Sequence, residues 1–348
     1  MKFVKLLPIL VLLVACKKVP VEPTPEVPSN DFQNSMLVLC EGLFQHNNSS
    51  ISWINFENDG INASFFEHQA GRNLGDTGND MQRYGDKIYV VVNVSSTVEV
   101  MDAKTFKPVA QIEMQEGGQA KQPRSIAFAN GKAYVSCYDG YVDVIDTVTL
   151  TVTQRIPVGS NPEGVAVFNN QLYVANSGGL NFPNVDSTVS VVDLSTHAEL
   201  TKITVGANPG AVLSNGLGDI FVISRGDYGA IPSRLKRINA STNQLEEAYS
   251  FDIIGLAQYD SYKMLVYNAT GIGRFDYQLN AIDQQDFVDI SNVQTLYGVA
   301  FNPADKNIYV MDAMGYTNLG FIRKYSNSGS WLEDYQVGLN PSKIIFYD

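Results

Sequence analysis

The residues best suited to acid–base, nucleophilic or metal chemistry are few in this chain and poorly spaced for it. Its 348 residues include three histidines, His46, His68 and His197, and three cysteines, Cys16, Cys40 and Cys137. No two histidines share the HxxxH spacing that sets two imidazoles on one helix face, and no cysteine cluster has the spacing of a zinc site. No loop has the acidic pattern of an EF-hand. A Gly-x-Ser-x-Gly nucleophile motif and a P-loop are both absent. The segment from Gly71 to Asp76 contains glycines but has no strand-to-helix context for a phosphate. The expectation is a protein that is not an enzyme and carries no metal or cofactor of its own.

Binding is better represented than catalysis. Aromatic planes recur beside amide, carboxylate and guanidinium groups in segments that read as loops. Phe44 and His46 fall in 41–50, Phe182 in 176–188, Arg225, Asp227 and Tyr228 in 224–233, and Met314 and Tyr316 in 312–320. Shorter loops carry Asn93, Tyr138, Asp139 and Asn268, and further connections carry Arg72, Asp76, Asp80, Arg124 and Tyr297. All of these except Arg72, Asp76 and Tyr297 form the candidate ligand-binding set. The mixture suits a large amphipathic ligand, because aromatics supply area and polar groups fix orientation.

The elements that must position these loops are announced by a repeated phrase. Asn161-Pro162-Glu163-Gly164 leads into Gln171-Leu172-Tyr173-Val174-Ala175-Asn176, then Val189 to Asp193, then Lys202 to Gly206, and Asn208-Pro209-Gly210 starts it again. Four short alternating strands per phrase make one blade of a β-propeller. The second-strand aromatic recurs at Tyr89, Tyr134, Tyr173, Phe221 and Tyr309, with Met264 to Tyr267 standing between the last two. A turn-forming residue closes the third strand at Asp102, Asp146, Asp193, Asn239 and Asp276, where Asp and Asn bond their own backbone. At roughly 40–50 residues per blade, the stretch 36–348 holds about seven. The predicted fold is all-β, a seven-bladed propeller of four-stranded blades. Asn340 to Phe346 repeats only the opening of the phrase, and Met36 to Cys40 reads as a second strand with no first. The C-terminal strand is expected innermost in one blade with three N-terminal strands, which leaves no open ring edge.

This layout assigns the loops to faces. Second-to-third and fourth-to-first connections share one face, and the candidate residues all fall there. The other face has short turns such as Asn130-Gly131, Asn169-Asn170 and Ala240 to Asn243. His68 reads as part of an outer strand. Cys40 and Cys137 fall in blades one and three, too far apart for a disulfide, and are expected to be buried small hydrophobes.

Composition narrows the partners. A formal net charge of −12 and a pI of about 4.7 exclude a nucleic-acid binder, which needs a basic face, and electrostatic docking to anionic lipid. Lys2 and Lys5 precede an apolar run, Leu6 to Ala15, that is shorter than the roughly 20 residues of a membrane span and reads as a secretory signal. Residues 16–35 contain Pro20, Pro23, Pro25 and Pro28, an extended spacer. The expected organisation is a signal over 1–15, a linker over 16–35 and the propeller over 36–348.

Leu13-Val14-Ala15-Cys16 resembles a bacterial lipobox, which implies lipidation of Cys16 and a membrane anchor. With the repeat and the length, it makes the chain resemble the YncE-like propeller lipoproteins of Bacteroidetes. Leu74 to Met81 followed by Ile88 to Asn93 looks like the BtuG subgroup. That resemblance implies a lipid-anchored outer-membrane protein exposed at the cell surface. It would capture cobalamin (vitamin B12) as a transported ligand and pass it to a TonB-dependent transporter. Two other readings stand beside it: a protein-interaction scaffold in the envelope, and an enzyme resembling propeller lactonases or quinoprotein dehydrogenases.

Overall fold

A computed structural model describes residues 32–347; the signal, Cys16 and the proline-rich stretch up to residue 31 lie outside the described residues. Seven antiparallel four-stranded sheets form the blades. Blade 1 joins 35–62 to Pro341–Tyr347, and blades 2 to 7 cover 78–113, 123–157, 162–204, 209–248, 255–288 and 296–339. No helix among the described residues is long and apolar enough to cross a membrane.

Each blade follows from alternating strands that bury both faces against neighbours. The second strands are the most buried, and Tyr89, Tyr134, Tyr173 and Tyr309 have no accessible surface at all. Each lies between consecutive blades, where its ring is removed from water. Tyr89 and Val91 of blade 2 pack with Ile126 and Val135 of blade 3. Tyr173 and Val191 of blade 4 pack with Ile220 and Val222 of blade 5. Between blades 1 and 2 an aromatic group of Phe32, Trp53, Phe65, Phe106 and Tyr347 plays this part.

The residues closing the third strands act as their chemistry predicts. Asp102 Oδ1 accepts the N–H groups of Lys104 and Thr105, and Asp146 Oδ1 those of Val148 and Thr149. Asp193 Oδ1 accepts from Ser195 and Thr196, Asn239 Oδ1 from Ser241 and Thr242, and Asp276 Oδ1 from Gln278 and Leu279. These bonds hold the carboxyl groups of Asp102, Asp146 and Asp193 below the ordinary range.

Pro341–Tyr347 pairs antiparallel with Ser35–Cys40, Ser35 opposite Tyr347 and Leu39 opposite Lys343. It also contacts the first strands of blades 2 and 7, which places it in the innermost ring. Cys40 and Cys137 are free and buried. His68 departs from expectation. It lies in a short helix, Phe65–Ala70, in the connection from blade 1 to blade 2, whose first two residues, Phe65 and Phe66, are buried, Phe65 stacked on Trp53 of blade 1.

Candidate functional site

The phrase that marks the repeat is also what builds the site. Asn161, Asn208 and Asn340 take positive φ, 43°, 55° and 56°, a conformation Asn tolerates better than most side chains. Proline follows each. Immediately after, the innermost strand slips register against its neighbour, between Pro162 and Val165 and between Pro209 and Val212. Blades 1, 2, 3 and 7 slip at the same place. A bulge re-aims the side chain it leaves unpaired. The residues so released are Ser342, Asn79, Arg124, Glu163, Gly210 and Tyr297, one from each of six blades, all at the end of the channel that the long loops surround.

Several of these meet in one polar cluster. Arg124 Nε and Nη2 both donate to Glu163 Oε2 at 3.1 Å, and Nη1 donates to Asn79 Oδ1 at 2.8 Å. The guanidinium also lies over the Tyr138 ring, 4.8 Å from its centroid. Glu163 Oε1 accepts from the Tyr138 hydroxyl and, at 3.4 Å, from Arg225 Nη1. Tyr297 donates its hydroxyl to Glu41 Oε2 at 2.7 Å. Lys343 Nζ stands 3.4 Å from Asp80 Oδ1, and Asp80 Oδ2 accepts the Ile126 N–H of blade 3. Blade 6 has no bulge here. The Tyr267 ring covers Gly255 instead, and its hydroxyl reaches the Tyr297 carbonyl.

Two carboxyls in this cluster are driven apart. Burial acts to raise the pKa of Glu163, but Arg124 and Arg225 outweigh it and hold the group below the usual value. Burial raises the pKa of Glu41 above the usual value against the opposing pull of Tyr297, Arg124 and Lys343. Burial and the Glu163 charge both push the Tyr138 hydroxyl up. The cluster is thus a largely self-neutralised polar floor.

Of the residues expected from sequence, Asp80, Arg124, Tyr138 and Arg225 belong to this floor. Asp80, Arg124 and Tyr297 correct the reading that placed them in loops. They lie within the innermost strands; Arg124 and Tyr297 are the residues the bulges release, and Asp80 follows the released Asn79. Phe44, Phe182, Tyr228 and Tyr316 stand on the rim with 65%, 56%, 74% and 53% of their surface exposed. Tyr316 packs edge-on against Tyr297, centroids 5.9 Å apart, and so joins rim to floor. His46 Nδ1 bonds the Phe44 carbonyl in the same loop, which Asp76 fixes by accepting the Gln45 and Asn47 N–H groups.

The remaining expected residues are engaged by the scaffold. Asn93 Nδ2 donates to the Pro123 carbonyl and ties blade 2 to blade 3. Asp139 pairs with Arg155. Asp227 Oδ1 accepts the Gly229 and Ile231 N–H groups, and Asn268 Oδ1 those of Thr270 and Gly271. Met314 Sδ lies 3.6 Å from Arg323 Nη2. Sequence reading missed Glu41, Asn79, Glu163 and Lys343, although the position after the phrase's proline, shared by Arg124 and Glu163, was an available signal.

The mouth has two clefts of about 450 Å³. One is walled by Tyr228, Ile231, Pro232, Ile253 and Ile254 with Arg225, and the other is polar, between Tyr138 and Asp186. The opposite face also has a cleft, about 740 Å³, between Leu213–Leu217 and Tyr259, so its turns are short without leaving it flat. No group of His, Cys, Asp and Glu side chains among the described residues could hold a metal ion.

Fold and mouth together define a seven-bladed β-propeller with one loop-elaborated face over a polar axial cluster. A domain of unknown function, DUF5074, matches residues 34–346, and the chain belongs to that family. No curated protein matches. Among solved structures, a quinoprotein alcohol dehydrogenase-like protein of Bacteroides thetaiotaomicron is similar over 92% of this chain and 80% of its own, with 14% identity and a TM-score of 0.67. Hydrazine synthase of Kuenenia stuttgartiensis is similar over 74% of this chain and 85% of its own, at 16% identity and a TM-score of 0.56. The computationally designed protein Ika8 is similar over 90% of each chain, at 14% identity and a TM-score of 0.56. At these identities the likeness is one of fold.

Proposed function

We propose that this protein captures a large amphipathic small molecule, cobalamin in preference, on its loop-bearing face. In this reading Cys16 carries the lipid that anchors it at the outer membrane, and the ligand passes to a TonB-dependent transporter. No catalysis is proposed. The observation that carries the reading is the placement of four exposed aromatics, Phe44, Phe182, Tyr228 and Tyr316, in second-to-third strand loops of blades 1, 4, 5 and 7. They ring one mouth above a floor of guanidinium, carboxyl and phenol groups. A corrin presents many amides on its rim and apolar area at its edges, which this combination complements.

The test is calorimetric titration of the chain from Asn30 onward with cyanocobalamin. Saturable binding is expected, and Tyr228→Ala and Tyr316→Ala are each expected to raise Kd about tenfold, the scale of one aromatic contact. Absence of heat and of retention on a cobalamin resin would overturn the reading. Unchanged affinity in both variants would move the site away from these loops.

A further inference from the structure

One guanidinium at the mouth has bonding capacity that the protein does not use. Arg225 follows the second strand of blade 5, Asp219–Ser224, and its side chain is 35% exposed. Its Nη1 makes the long 3.4 Å contact to Glu163, whose carboxylate is already occupied by Arg124 and Tyr138. Among the described residues, Nε and Nη2 of Arg225 have no side-chain or backbone acceptor. A guanidinium fork with two free donors matches a planar or tetrahedral oxyanion.

The two guanidiniums beside Glu163 favour an incoming anion. Two guanidiniums, Arg124 and Arg225, share one carboxylate, Glu163. Lys343 and Asp80 are paired with each other. Glu41 bonds the Tyr297 hydroxyl, and burial favours its neutral form. Around Glu163 the guanidiniums outnumber the carboxylate they bond. Asp252, which also lines the cleft, accepts from the Ser233 hydroxyl.

Position 210 shows that the placement of Arg225 is built in. A Cβ added to Gly210 would lie 2.3 Å from both Cζ and Nε of Arg225. The guanidinium therefore occupies the space that any side chain at this bulged position would fill. Beside it, Tyr228, Ile231, Pro232, Ile253 and Ile254 form the apolar walls of the cleft of about 450 Å³.

We propose that Arg225, lying over Gly210, recognises an oxyanion, and that the adjoining cleft takes an apolar ring system bearing that single negative group, such as a phosphate ester, sulfonate or carboxylate. This rests on the mouth being the ligand face but not on cobalamin being the ligand.

The probe is 1-anilinonaphthalene-8-sulfonate, an apolar ring system with one oxyanion, and its neutral counterpart is N-phenyl-1-naphthylamine. In fluorescence titrations the native protein is expected to bind the sulfonate at least about tenfold more tightly, the scale of one charge-assisted hydrogen bond. Arg225→Gln and Gly210→Ala are each expected to abolish that preference while leaving affinity for the neutral probe in place. The second leaves Arg225 present and only displaces it. Tyr228→Ala is expected to weaken both probes. Equal affinity for the two probes, no sulfonate binding, or a preference that survives both variants would overturn the proposal. A parallel titration with cyanocobalamin separates the two readings. An Arg225-dependent sulfonate site without cobalamin binding sinks the choice of ligand and keeps the oxyanion site.

Discussion

At the residue scale the site is governed by two carboxyls with opposite pKa displacements a short distance apart. Glu163 is held low by Arg124 and Arg225 against its burial. It contributes stability that is present above the ordinary carboxylate range and is lost as pH falls through its depressed value. Glu41 is pushed up by burial, so stability is lost as pH rises through its raised value. Glu163→Ala removes the shared partner of two guanidiniums and is expected to cost about 3 kcal/mol at neutral pH. Glu41→Gln retains an acceptor for Tyr297 and is expected to stabilise the protein at neutral pH. Urea unfolding of both variants at neutral pH and near pH 4 checks the signs, since the Glu41→Gln advantage should close on acidification. A destabilised Glu41→Gln at neutral pH would show that this carboxyl is ionised and paired. Arg124, Tyr138 and Arg225 were legible in sequence because cations and phenols at strand ends are conspicuous. Glu163 was not, since its partners lie 39 and 62 residues away and only the closed ring brings them together.

At the scale of elements, the repeat was legible because each strand boundary has a chemical marker. The aromatic of the second strand and the Asp or Asn after the third report packing and turn formation, which are local events. The bulge in the innermost strand left a fainter mark, a Pro preceded by a residue at positive φ, and its outward signal was lost because the released residue varies from Arg to Glu to Gly. The turn carboxylates offer a direct check. Asp193 receives two backbone N–H groups, and Asn239 receives two in the same geometry without a charge. Asp193→Asn is therefore expected to keep most of the neutral-pH stability, whereas Asp193→Ala loses the acceptor and lowers Tm. The depressed pKa of Asp193 adds stability only above the ordinary carboxylate range, lost as pH falls through the folded value. The Tm gap between wild type and Asp193→Asn should thus shrink as pH falls below the ordinary carboxylate range. A gap that widened on acidification would assign the turn's stability to something other than the carboxylate.

At the scale of the molecule, closure and site are one structure. Blade 1 is assembled from both chain ends, and its inner strand carries Lys343 while its second-to-third loop carries Glu41 and Phe44. Without Pro341–Tyr347, the strand Ser35–Cys40 becomes an open edge and the first strands of blades 2 and 7 lose the neighbour between them. The apolar residues Ile344 and Phe346 would leave the cluster that holds Met36, Val38 and Tyr309. The three remaining strands of blade 1 still pack against blades 2 and 7, but its inner edge is left unpaired where the ring is tightest. A chain ending at Leu339 is expected to lose its cooperative thermal transition and to associate on size exclusion. A synthetic peptide covering 340–347, added in excess, is expected to restore the transition by occupying the vacant edge, and with it any binding at the mouth. A truncated chain that melts cooperatively at the wild-type temperature would mean that the other six blades hold the ring unaided. The pairing of the two termini would then serve to place Lys343 beside Asp80 rather than to hold the circle shut.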